Sequence, residues 1–182
     1  MITTIIEKFQ RKKERKILND HSQVTVGNGL KLGINNHFIL YPKIKKCILG
    51  NAVSFRNYIH IIVQNGAFLE IGDHVFFNNN CSVNCLESIS IGENTLFGEN
   101  VKLYDHNHSY ERNEDGLQVS PSEFKTAPII IGKNCWLGSN VVVLKGVSIG
   151  NNCIIGSGCV IHKDIPANST VVNQQDLTIK TN

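Results

Sequence analysis

The chain has 182 residues, 41% of them hydrophobic and 18% charged, with a formal net charge of +3. This length suits one domain with a short appendage and buries most of its apolar surface without covalent staples. Residues 1–20 carry six Lys/Arg against three Asp/Glu and so account for the whole net charge; the near-neutral remainder gives a nucleic-acid groove little support. No apolar run approaches the roughly 20 residues of a membrane span, and MITTIIEKFQ lacks the apolar core and small-residue cleavage site of a leader, so a cytoplasmic location is expected. Six cysteines, Cys47, Cys81, Cys85, Cys135, Cys153 and Cys159, are too scattered for a disulfide framework and read as reduced, buried side chains.

The first element is a helix. Residues 3–19, TTIIEKFQRKKERKILN, contain neither Gly nor Pro and space Ile5, Phe9, Ile17 and Leu18 as one helical face with a basic remainder. A basic helix over residues 1–20 is therefore expected, docking on the body as a cap or, on the sharper reading, resting on a membrane surface.

Residues 21–172 are expected to form one domain organised by a six-residue period. It is clearest from Ile131 to Ile161, where Ile131, Leu137, Val143, Ile149, Ile155 and Ile161 recur at every sixth position. A second series, Cys135, Val141, Val147, Cys153, Cys159 and Ile165, follows four residues behind and favours small side chains. Gly132, Gly138, Gly150 and Gly156 stand beside four first-series residues, where a tight corner would want unusual dihedrals. Six matches neither the helical nor the strand period; it is the period of a coil of short strands and turns around a shared apolar interior. Leu49, Phe55 and Ile61, then Ile71, Phe77 and Val83, then Ile91, Phe97 and Leu103 keep the rhythm more weakly, and before residue 49 only fragments such as VTVGNGLKLG appear.

Residues 107–128, NHSYERNEDGLQVSPSEFKTAP, break the period as a polar, turn-rich excursion, the kind of segment that carries function on a regular solenoid. Just before it, YDHNHSY places His106 and His108 on one side of an extended chain. Zinc would need a third protein ligand, and the local sequence supplies none. A general base needs only one imidazole, which titrates near neutrality.

The register of IIIGKNCWLGSNVVVLKGVSIGNNCIIGSGCVIHKDIP resembles the hexapeptide-repeat acyltransferases, over about residues 45–172. The resemblance implies an all-β fold, a left-handed parallel β-helix, a handedness that the usual crossover rule would not select. Against the galactoside and maltose acetyltransferases of that family, residues 70–110 run without a gap. The family's catalytic histidine then falls on His108, with His106 as a possible second histidine, because Asp-His-x-His resembles a sugar O-acetyltransferase branch. The acceptor-binding asparagine falls on Asn78, whereas an acidic sugar-holding residue falls on Leu86, which argues against assuming a galactoside.

For the donor, the resemblance implies acetyl-CoA in a groove between coils. The oxyanion-stabilising amide would be that of Ser139 beside Gly138, Trp136 would line the groove, and Ser157 and Lys163 would meet the pantetheine and phosphate end. It implies a homotrimer with active sites between subunits, a saccharide acceptor and no metal. Beyond IPANSTVV the tail, residues 173–182, departs from the family's Gly-x-Pro-Ala continuation and puts contacts near the adenine in doubt. The runners-up are a β-helical carbonic anhydrase, an antibiotic or amino-sugar N-acetyltransferase, and a catalytically silent scaffold.

Overall fold

In a computed structural model, residues 2–174 and residue 180 are described; most of the divergent tail, residues 175–179 and 181–182, lies outside them. One helix, α1 (Ile2–Asp20), precedes a series of short strands. These strands stack into three parallel sheets that form the faces of a β-helix.

Face one contains Val24–Val26, Lys46–Leu49, Phe68–Ile71, Ser88–Ile91, Ile129–Ile131 and Ser148–Ile149. Face two contains Lys31–Leu32, Ser54–Phe55, Phe76–Phe77, Leu96–Phe97, Trp136–Leu137, Ile154–Ile155 and Thr170–Val171. Face three contains His37–Leu40, His60–Val63, Ser82–Cys85, Lys102–Tyr104, Val142–Leu144 and Val160–Ile161. The chain visits the faces in that order on each turn, so like residues pair in register from rung to rung.

The register explains why the period is plain in one place and blurred in another. Ile131 pairs with Ile149 and Leu137 with Ile155, a rung of 18 residues, or three hexapeptides. Leu49 pairs with Ile71, 22 residues on, because face three there has four-residue strands and a longer turn leads back to face one. The coil thus begins at Val24, well before the hexapeptide rhythm can be recognised.

Both aliphatic series point inward, as expected: Leu137, Val143, Ile155, Val141 and Cys153 are all buried. Phe38, Phe55, Phe77 and Phe97 stand on successive rungs with ring centroids 5.6, 5.1 and 4.4 Å apart, a column that buries large apolar surface and adds ring–ring attraction. The six cysteines are buried and unpaired. Burial in apolar surroundings pushes the Cys47 thiol up to about 12 and that of Cys81 up to about 11, and raises Cys85 further.

Two expectations need correction. The corner glycines are not there for a left-handed backbone: the positive-φ positions are taken instead by asparagines, Asn94, Asn134, Asn152 and Asn168 along one edge, with φ of 56–62°. Their side chains form a ladder, Nδ2 of each donating to Oδ1 of the next at 3.0–3.2 Å. Glycine is needed two residues earlier because the rungs touch; a Cβ on Gly132 would lie 2.7 Å from the Asn151 nitrogen, and one on Gly138 would lie 2.8 Å from that of Ser157.

The second correction concerns α1. Its apolar residues do not share one face: Leu18 is 1% exposed against the first rung, whereas Ile5 and Phe9 are 63% and 70% exposed. The helix is attached largely by polar contacts. Gln10 donates to Asn35 Oδ1 at 2.8 Å, Arg15 donates to the Leu30 carbonyl at 2.7 Å, and buried Glu14 accepts from the Asn36 amide at 3.0 Å. As a cap over the open end of the coil it satisfies polar groups there that no further rung covers.

Candidate functional site

The polar excursion is a two-stranded antiparallel hairpin rather than a series of turns: His106–Asn113 pairs with Gly116–Thr126, with an irregularity between His108 and Tyr110. It leaves the coil at the edge between faces three and one, and Ile91 pairs with Ile131 as though the 40 intervening residues closed a single rung. Both histidines sit at its root, opposite Thr126 and Phe124.

Their positions rest on different partners. His108 is exposed, and its Nδ1 lies 2.9 Å from the Ser120 carbonyl oxygen across the hairpin. A carbonyl can only accept, so Nδ1 carries the hydrogen and Nε2 keeps a lone pair. His106 is mostly covered, at 17% side-chain exposure, and its Nδ1 lies 3.2 Å from Oδ1 of Asp105.

Asp105 is fully buried. Its carboxylate accepts from the Leu86, Glu87 and Ser88 amides at 2.8–3.0 Å, so the charge is met by three backbone dipoles where the chain turns back toward face one. The Phe124 ring completes the cluster, 5.2 Å from the His106 ring and 4.7 Å from that of His108. Sequence reasoning missed Asp105 and Phe124. The signals were present: Asp105 is the last residue before the period breaks, and Phe124 is a lone aromatic in SPSEFKTAP.

The remaining candidates stand elsewhere. Asn78, Gly138, Ser139 and Ser157 all lie in turns between faces two and three. Asn78 Oδ1 accepts from the Asn79 amide at 2.9 Å and faces Arg56 at 3.5 Å. Ser139 Oγ accepts from the Glu99 amide at 3.3 Å, tying its turn to the rung before. Asn78 and Ser139 are two rungs apart, about 10 Å at strand spacing. Trp136 projects from face two, 53% exposed, between Leu96 and Ile154 of the adjoining rungs, which are also exposed.

Lys163 follows the last strand of face three and so lies on the histidine edge, not beside Ser157. Within one chain the structure therefore groups Trp136, Gly138, Ser139 and Ser157 with Asn78, and groups His106 and His108 with Lys163, the two sets separated by face three. Among the described residues no group of three or more His, Cys, Asp or Glu side chains is placed to hold a metal ion.

With this geometry in hand, comparison with known proteins is informative. Residues 128–163 match the family described as bacterial transferase hexapeptide (six repeats). Nodulation protein L of Rhizobium leguminosarum bv. viciae is 42% identical over 109 residues, 59% of this chain and 54% of that protein. Galactoside O-acetyltransferase of Escherichia coli (strain K12) is 37% identical over 105 residues, 57% of this chain and 49% of that protein. The chain spans about half the length of the curated relatives it matches. A crystal structure of a mutant of AntD, an N-acyltransferase from Bacillus cereus, in complex with dTDP-4-amino-4,6-dideoxyglucose and coenzyme A, aligns with a TM-score of 0.69 over 94% of this chain and 90% of that one. At 14% identity that likeness is one of fold. By its repeat, its relatives and its coil, the chain belongs with the hexapeptide-repeat transferases.

Proposed function

We propose that this protein is an acetyl-CoA-dependent O-acetyltransferase acting on a sugar hydroxyl, with His108 as general base. The observation that carries the reading is the Nδ1 contact of His108 with the Ser120 carbonyl, which leaves Nε2 as the free, basic nitrogen at an exposed position. The similarity to Nodulation protein L and to a galactoside O-acetyltransferase supports the reaction class. A capsular, lipopolysaccharide or exopolysaccharide sugar is the proposed acceptor.

Bound acetyl-CoA would supply an activated thioester carbonyl. His108 Nε2 takes the proton of the acceptor hydroxyl as its oxygen attacks that carbonyl carbon, and returns the proton to the departing thiolate. The Ser139 amide stabilises the charge that develops on the carbonyl oxygen, Asn78 orients the acceptor, and Trp136, Gly138 and Ser157 line the donor groove. Lys163 offers a point charge to a phosphate.

Because the histidines and the Ser139 turn occupy different edges of one coil, the site is assembled when the histidine edge of one subunit meets the Ser139 edge of another. The exposed apolar ladder of Leu96, Trp136 and Ile154 supports such an apposition. A homotrimer is the proposed assembly; a monomer at working concentration in light scattering contradicts it.

Trp136, the single tryptophan of the chain, makes the donor site directly testable. Titration with acetyl-CoA is expected to change its fluorescence saturably at about 1 µM–1 mM ligand, the ordinary range for an enzyme's substrate. An unchanged signal, with no heat of binding by calorimetry, overturns the proposal and favours a scaffold.

A further inference from the structure

Helix α1 is inverted relative to an ordinary surface helix. At 100° per residue, the side turned to the coil carries Glu7, Gln10, Arg11 and Glu14, which bond to one another or to the first rung. The opposite side carries the large apolar residues Ile5, Ile6 and Phe9, all exposed. Such residues normally face the core, yet nothing in this chain covers them.

Their surroundings indicate what does. Lys8, Lys12 and Lys13 flank the stripe, all exposed, and Lys16 follows, paired with Asp20 one turn on. The two glutamates of the helix lie on its inner side. The outward surface is thus an apolar stripe set in positive charge, at the end of the coil away from the histidine hairpin and the last rungs. A second copy of the helix would bring like charges together, whereas an anionic surface that also accepts apolar side chains matches both features.

We infer that α1 docks the protein on an anionic lipid bilayer surface, with Phe9, Ile5 and Ile6 entering the headgroup–acyl boundary and Lys8, Lys12 and Lys13 contacting the headgroups. This inference does not depend on the proposed acetyl transfer. The contact is interfacial: no helix among the described residues is long and apolar enough to cross a membrane.

The test is co-sedimentation of the full-length protein with vesicles of 3:1 phosphatidylcholine/phosphatidylglycerol and of phosphatidylcholine alone. Binding to the mixed vesicles, weakened by salt and nearly absent on the neutral ones, is expected. Lys12→Gln with Lys13→Gln should weaken partitioning roughly thirtyfold, at about a tenfold loss or slightly less per lysine. Ile5→Ser with Phe9→Ser should weaken it on the order of a hundredfold or more. Both variants change exposed positions and should keep the circular dichroism melt of the parent protein.

Absence of parent-protein binding to anionic vesicles at low salt overturns the inference. Undiminished binding by Ile5→Ser/Phe9→Ser also overturns it, since charge alone would then explain the contact. A smaller oligomer in light scattering for that variant, with no vesicle binding by the parent, assigns the stripe to contact between copies instead.

Discussion

The imidazole of His108 is held by the backbone of Ser120, whose carbonyl oxygen stands 2.9 Å from Nδ1 across the hairpin. The pairing strand has no other means of accepting that hydrogen, so the tautomer is set by the fold. Nitrogen NMR of ¹⁵N-histidine-labelled protein, at a pH where the ring is neutral, should show a protonated Nδ1 and an unprotonated Nε2 for His108. The reverse pattern would remove the physical basis for its role as a base.

Asp105 should be a larger stability determinant than either histidine. Its carboxylate is fully buried and accepts from three amides, and Asn at that position would turn an NH₂ toward donors. Asp105→Asn is expected to cost about 2–4 kcal/mol, read as a lowered midpoint in urea unfolding. A loss under about 0.5 kcal/mol would show that the Leu86–Ser88 turn does not rely on this carboxylate.

Glu14 should make stability pH-dependent. Burial beneath α1 raises its carboxyl above the ordinary range, outweighing the Asn36 hydrogen bonds that favour the charge. With the folded value above the unfolded one, the native state binds more protons between the two, so stability falls as pH rises through that window from about 4.5. Glu14→Gln should flatten this slope in urea unfolding between pH 4.5 and 7. An unchanged slope would place its cause elsewhere.

The thiols should be inert while the coil is intact. Burial raises Cys47, Cys81, Cys85 and Cys135, with Cys47 pushed up to about 12, so little thiolate exists at neutral pH. Ellman's reagent at pH 8 should label fewer than one cysteine per chain until denaturant is added. Rapid labelling of several would mean that the rungs open readily.

Legibility in the sequence followed the regularity of the rungs. From Ile131 to Ile161 each turn spends 18 residues, so the period could be read directly and both series proved buried. From Val24 to Leu103 the rungs keep the same inward residues, but turns such as Pro42–Lys45 lengthen them, and a search for sixes loses the register there. The corner chemistry misled for a different reason: Gly and Asn both tolerate positive φ, and only the coordinates show that Asn134 takes that role while Gly132 yields space to the next rung.

The histidines were conspicuous because they end a pattern. The Asp105 anchor and the Phe124 contact were not, since each depends on chain segments brought together by the hairpin and the stacked edge. Nor does spacing along the chain reveal that His108 and Ser139 stand on different edges. That follows from which faces their neighbouring strands join. The outward stripe of α1 was hidden because Ile5, Phe9 and Leu18 satisfy a loose helical spacing while pointing to opposite sides.

The most direct measurement is acetyl-CoA-dependent release of CoA thiol with a panel of saccharide acceptors, comparing the parent protein with His108→Ala and His106→Ala. For an acceptor the parent protein uses, His108→Ala is expected to lower turnover by about 10²–10⁴-fold while the Trp136 titration with acetyl-CoA stays unchanged. Near-normal turnover by His108→Ala, with activity lost instead in His106→Ala, would contradict the assignment and move the base to the imidazole that Asp105 holds.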